Sequence, residues 1–208
     1  MRKFSIWCIP VLCCMIFMMC SCSKAGETPP QGVSVKTVTD TKGNSYEMQF
    51  DQDGFPVIDD KGNALSEDGA EKVPFPGIVV SGNEITTRFF RFELPEKWEN
   101  SSGELVKAVY KEGSLSAEIT VNERFSMTAT ECVKEIENIA ADFGTVKKEM
   151  VDFDFATATK LVYENGVQIY VFSVENRTFF VKVVADNEMY EKINFEEIVN
   201  TIKFRKGE

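Results

Sequence analysis

The sequence predicts an α+β protein: an antiparallel sheet flanked by helices. Three observations lead there. The first is Lys160 to Asp186, which reads as three consecutive strands. Asn165-Gly166 is a hairpin signal of the type I′ kind, which needs φ > 0 at both central positions. Glu175-Asn176-Arg177 makes the next reversal, and the intervening residues are β-branched and aromatic. The second observation is that these strands are apolar on both faces. Val167, Ile169 and Val171 point one way, with Tyr170, Phe172 and Val174 opposite; Phe179, Val181 and Val183 oppose Phe180 and Val184. An antiparallel sheet with one face in water alternates apolar and polar, so both faces must be covered, most simply by helices. The third is a pair of helices with N-terminal signals. Thr128 and Glu131 form a capping box ahead of a helix to Phe143, which Gly144 ends. Asn194 caps a last helix whose face carries Phe195, Ile198, Val199 and Ile202.

Taken in order, the chain opens on a targeting segment, residues 1–21. Arg2 and Lys3 precede a short apolar run from Ile6 to Met19, too short for a span of ~20 residues. Ser21 before Cys22 resembles a bacterial lipobox, which implies that Cys22 is acylated and becomes the mature N-terminus. Cys20 is the rival acceptor, preceded by the bulkier Met19. The expected location is the bacterial cell envelope, outside the cytoplasm, with membrane lipid engaged through acylated Cys22. Five of the six cysteines lie in or at the end of this segment, leaving Cys132 alone in the remainder, where a small buried hydrophobe is the expected role. A lone cysteine cannot staple a domain, so the core must hold the fold. The formal charge is −10 and becomes more negative once Arg2 and Lys3 are removed. Such a chain repels phosphate backbones, which excludes nucleic acid as a partner.

Residues 22–33 form a tether containing Pro29 and Pro30. Residues 34–83 form an acidic, turn-rich region expected to make small β-hairpins or a poorly ordered stalk. Thr41-Lys42-Gly43-Asn44, Asp51-Gln52-Asp53-Gly54 and Asp59-Asp60-Lys61-Gly62-Asn63 supply the turns, and DTKGN and DDKGN hint at a repeat. An EF-hand loop needs Asp first, Gly sixth and Glu twelfth. Neither Gly54 nor Gly62 can be placed sixth in such a loop, so no metal site is expected.

The folded domain is expected over residues 84–208. Thr87 to Leu94 reads as a half-buried strand with Phe90, Phe92 and Leu94 inward. A hairpin turns at Glu112-Gly113, and Val151 to Phe155 alternates with Val151, Phe153 and Phe155 inward. Phe89 to Trp98, FFRFELPEKW, resembles the opening of PsbP-like domains, and Phe195 to Phe204, FEEIVNTIKF, resembles their end. The resemblance implies an α/β/α sandwich, shared with photosystem II extrinsic proteins and a Ran-binding import factor. It implies no set of catalytic residues and argues fold more than activity.

The chain contains no histidine, which removes His-based triads and His-ligated metals; no cofactor is expected. Asp152 and Asp154 are expected on one face of a strand, where paired carboxylates could serve hydrolysis or bind a cation; a solvated face explains them more simply. Trp98, after a proline, is a candidate for lining a ligand groove, although most such aromatics anchor loops. These readings converge on a non-enzymatic, lipid-anchored protein with a binding or assembly role and a membrane or envelope protein as partner. The alternatives are a carboxylate hydrolase acting on an envelope glycan and a solute-binding lipoprotein.

Overall fold

The computed structural model describes residues 32–66 and 72–207. The signal segment and the candidate acylation sites Cys20 and Cys22 lie outside the described residues. The chain is predominantly antiparallel β. A six-stranded sheet comprises β1 (Ser34–Asp40), β2 (Ser45–Phe50), β5 (Ile78–Ser81), β6 (Glu84–Thr87), β7 (Phe90–Glu93) and β15 (Lys203–Phe204), in the order β15-β7-β6-β5-β1-β2. Between β2 and β5, β3 (Asn63–Leu65) pairs with β4 (Lys72–Pro74) as a small ribbon. A seven-stranded sheet comprises β8 (Trp98–Asn100), β9 (Val106–Glu112), β10 (Leu115–Arg124), β11 (Val146–Asp152), β12 (Thr157–Tyr163), β13 (Gln168–Val174) and β14 (Arg177–Ala185), in the order β11-β12-β13-β14-β10-β9-β8.

Both faces of the β12–β14 meander are covered, as its two apolar faces require. On one face Leu161, Tyr163, Val167, Ile169 and Val171 pack under helix α1 (Ala129–Ile139) through Cys132, Val133 and Ile136. The capping box forms as expected: the Thr128 side chain accepts from the Glu131 N–H, and the Thr128 N–H donates to Glu131 Oε2 at 2.9 Å. The other face departs from the simplest expectation. Tyr170, Phe172, Phe179 and Val181 meet Ile85, Phe90 and Phe92 of the six-stranded sheet, so a second sheet shares that face with helices α2 (Asn187–Lys192) and α3 (Phe195–Asn200). Phe204 of β15 joins the layers, with ring centroids 4.8 Å from Phe179 and 5.4 Å from Phe172. Apolar strands state that a face is buried, not whether helix or sheet buries it.

The acidic region is built into this architecture. Asp40, Asp51 and Asp59 each open the same three-residue loop. The Asp carbonyl accepts from the glycine three residues on (Gly43, Gly54, Gly62) at 3.0–3.1 Å. The carboxylate accepts from the backbone N–H two and four residues on, at 2.8–3.0 Å. Each glycine takes φ between +79° and +87°, which costs a residue without Cβ nothing. DTKGN and DDKGN are therefore two copies of a loop that occurs a third time as Asp51-Gln52-Asp53-Gly54-Phe55. The expected division at Glu84 falls inside a hairpin, because β5 pairs with β6 from Ile78↔Thr87 to Ser81↔Glu84. Arg205 Nη2 also donates to Asp51 Oδ2 at 2.8 Å, tying the region to the C-terminal end.

Three turns differ from expectation. The Asn165-Gly166 reversal is a three-residue loop: Gly166 N–H donates to the Tyr163 carbonyl, and only Gly166 takes positive φ. The run from Thr87 is not one strand. Thr87 Oγ1 accepts from the N–H groups of Phe89 and Phe90 and turns the chain between β6 and β7. The β9–β10 hairpin turns at Gly113-Ser114, one residue later than read.

Candidate functional site

The two sheets leave a groove of about 640 Å³ where their ends meet. Its floor is core: Ile78, Phe90, Val106 and Val121 are all buried. Its walls come from three loops. Phe89 stands in the β6–β7 turn, Leu105 precedes β9, and Phe125 follows β10. Leu105 is 42% exposed and Phe125 72%, although both are large apolar side chains. Lys42, from the Asp40 loop, and Arg88 also line the groove.

Local structure explains this arrangement. Ala117, Ile119 and Val121 alternate inward along β10, and the same parity continues through Glu123 to Phe125 as the strand leaves the core. Glu123 is neutralised by Arg177, whose guanidinium donates to Glu123 Oε1 at 2.6 Å and stacks 3.5 Å from the centroid of Phe89. Phe89 is thus fixed by a cation on its face. Two non-glycine residues at this end occupy the left-handed region, Ser126 at φ 56° and Glu175 at φ 52°. That conformation costs roughly 1–2 kcal/mol per residue, and such strain concentrates at functional surfaces. Ser126 holds the chain just after the exposed Phe125.

Two smaller hollows are more polar. One, of about 280 Å³, lies beside α3. Its Lys160 is engaged by Glu196 at 2.7 Å. Tyr170 donates from its hydroxyl to Gln168 Oε1 at 2.9 Å, and burial raises its pKa. Burial likewise pushes Tyr190 up to about 12, so both phenols stay protonated and serve as donors at neutral pH. The other hollow, of about 350 Å³, contains Asp154, Asn200, Lys203 and Lys206.

Asp152 and Asp154 do not share a strand face as expected, because β11 ends at Asp152. Phe153 N–H donates to the Ala156 carbonyl and reverses the chain. Asp152 accepts from the Thr157 hydroxyl at 2.6 Å. Asp154 is clasped by Asn200: its N–H donates to Asn200 Oδ1 at 2.8 Å, and Asn200 Nδ2 donates back to Asp154 Oδ2 at 3.1 Å. Each carboxylate closes a turn or binds a helix end. Trp98 lines none of the hollows described above. It is buried, with ring centroids 5.7 Å from Tyr110 and 6.4 Å from Phe195, and begins β8 rather than lying in a loop. Cys132 is buried on the inward face of α1, and burial raises its thiol pKa against the opposing charge of Arg124. Among the described residues no three His, Cys, Asp or Glu side chains converge as metal ligands, and no helix is long and apolar enough to cross a membrane.

The sequence reading missed Phe125, Leu105 and Phe89. The signal for Phe125 was present, since the inward parity of β10 runs on past Asn122. No protein-family model, curated protein or solved structure matches this chain.

Proposed function

We propose that this is a non-enzymatic, lipid-anchored protein of the bacterial cell envelope, held by acylated Cys22, that binds a membrane or envelope component. The reading of the seven-stranded sheet and its helices as a PsbP-like α/β/α unit belongs to the same proposal, without the boundary at Glu84. It is supported by α1 lying on one face of the seven-stranded sheet and α2 and α3 on the other.

The groove between the sheets carries the binding reading, because Phe125 and Leu105 stand exposed over a buried apolar floor. Aromatic and arginine side chains together, here Phe89, Phe125 and Arg177, are the composition of binding surfaces. The anchor is compatible with action close to the bilayer. Ten residues lead from Cys22 to Gly32, and ten residues span at most about 36 Å in any conformation. The carboxylate-hydrolase alternative has no comparable support, since Asp152 and Asp154 each serve a separate structural bond.

Two measurements test the proposal. Cys22→Ser should release the full chain from cell membranes and abolish acyl labelling; unchanged labelling removes Cys22 as the anchor. Cross-linking in intact cells from a photoreactive residue at position 105 should capture a membrane or envelope component. Capture of soluble substrates alone would overturn the binding reading.

A further inference from the structure

We infer that a second copy of this chain docks on the open edge of the seven-stranded sheet, β11 against β11, antiparallel and centred on Met150. The inference is independent of the groove between the sheets and of Cys22.

The edge is long and open. β11 is the outermost strand of its sheet and runs seven residues. Among the described residues the other sheet edges are short or already met. β8 has three residues and β15 two, and on the outer side of β2 the Gln49 carbonyl accepts from the Val57 N–H. The bond from Phe153 N–H to the Ala156 carbonyl fixes the alternation of the β11–β12 ladder. Lys147, Glu149 and Val151 turn their backbone groups to β12; Val146, Lys148, Met150 and Asp152 turn theirs outward. An unpaired row of this kind is a template for another strand. Met150 stands 68% exposed on it.

The side chains choose the partner and the register. Lysines on an edge strand ordinarily keep other strands away. Here Lys148 is neutralised by Glu137 at 2.7 Å, and Lys147 is paired with Glu149. Two antiparallel copies meet with outward residues opposite outward residues, so the two-fold axis passes through a residue of β11. At Lys147, Lys148 or Glu149 the axis sets a charged side chain against its own copy, which destabilises the pairing. At Val146, Val151 or Asp152 only the tip of the strand overlaps. At Met150 the two exposed thioethers cover each other, Lys148 of each copy faces Asp152 of the other, and Glu149 lies opposite Val151. Two opposite-charge pairs then flank an apolar centre. The Thr157 hydroxyl occupies Asp152 Oδ1, which leaves Oδ2 for the lysine of the second copy. The N–H groups of Lys148, Met150 and Asp152 in both copies gain carbonyl partners. A foreign strand would have to bring the same order of base, apolar residue and acid; a second copy brings it by symmetry. The formal charge of −10 opposes association, but screening over about 8 Å at physiological salt leaves the seam contacts to decide.

The test uses the full chain in intact cells. Met150→Cys changes an exposed side chain and leaves the core alone. It sets two thiols at the centre of the ladder, where opposed Cα atoms lie about 5.5 Å apart, within disulfide reach. A mild oxidant should give a covalent dimer on a non-reducing gel, above a baseline set by the parent chain and its own cysteines. Lys147→Cys stands three residues from the axis, about 20 Å from its own copy at ~3.3 Å per residue, and should give roughly tenfold less dimer. Adding Asp152→Lys to the Met150→Cys chain sets lysine against Lys148 and should lower the dimer roughly tenfold. Adding Lys148→Asp as well should restore it, although the contacts to Thr157 and Glu137 do not return. That rescue separates pairing between copies from a fold effect within one. Equal cross-linking at positions 147 and 150 would show collision without a register and overturn the inference. So would a charge swap that fails to restore the dimer, a Met150→Cys chain no more cross-linked than the parent, or a disulfide from position 150 to a different protein in place of a second copy.

Discussion

The Asp40–Asn63 loops and the Tyr163–Val167 loop share one backbone device and stabilise it differently. In each, a residue pairs with another four positions on, and a glycine at positive φ accepts the bulge. Where Asp opens the loop, its carboxylate clamps two further N–H groups. Where Tyr163 opens it, no carboxylate is available, and Asn165 Oδ1 accepts only from Val167 at 3.2 Å. The flanking strands differ too. Around Asp51 and Asp59 the pairing shrinks to single bridges, Phe50↔Pro56 and Ile58↔Ala64. The strands flanking Tyr163 each run seven residues, and the middle of β13 is buried on both faces. The Asp40 loop carries the clamp although β1 and β2 pair over six residues, so what separates the two kinds of loop is the residue that opens them: a carboxylate in one case, a buried phenol ring in the other.

That contrast can be broken most forcefully on the packed side. Phe172→Ala removes a fully buried ring between the sheets and should cost about 3–5 kcal/mol, read as a lower denaturant midpoint with an unchanged slope. A cost near zero would mean that the two sheets are not packed as one core. On the clamped side, Asp51→Ala deletes two bonds to backbone N–H groups and one of the partners of Arg205. We expect about 1–3 kcal/mol, with faster amide exchange at Asp53 and Phe55 and also in β15; exchange confined to the loop would show that Arg205 carries no coupling. The mildest probe is acid. The Asn44 side-chain hydrogen bond, aided by backbone N–H groups of Asn44 and Lys42 and the Tyr46 hydroxyl, holds Asp40 at about 2 instead of 3.8. A depressed carboxylate contributes stability that is complete above its unfolded value and lost as pH falls through its folded value. The thermal midpoint should therefore be flat in this respect above about pH 4 and fall between there and pH 2. An Asp40→Asn variant should show a shallower fall; an identical acid profile would refute the clamp's contribution.

Much of the fold was readable because it is local. The capping box at Thr128 and Glu131, the turn at Gly166 and the alternation of β13 each lie within a few residues of sequence. The six-stranded sheet was not readable, because it is assembled from distant pieces. Asp40 pairs with Val79, and Lys203 with Arg91, with no turn signal to announce either register. Thr87 reversed the chain without Gly or Pro, using its own hydroxyl, so Thr87–Leu94 read as one strand. The groove was hidden for a related reason. Phe89, Leu105 and Phe125 are far apart in sequence, and only the meeting of two sheet ends brings them together. Trp98 illustrates the converse: its position after a proline suggested a surface, while Tyr110 and Phe195 arrive from elsewhere to bury it.

The layered arrangement also sets a timetable. Five strands of the six-stranded sheet are complete once Glu93 has been made. Their inward side chains Ile85, Phe90 and Phe92 are covered by β10, β13 and β14, which end at Ala185. At ~5–20 residues per second, the ~90 intervening residues take roughly 5–20 s to synthesise. Until those strands are made, Ile85, Phe90 and Phe92 have no lid. The Asp-clamped loops can close at once, so the growing chain holds its polar hairpins first and its aromatic layer last.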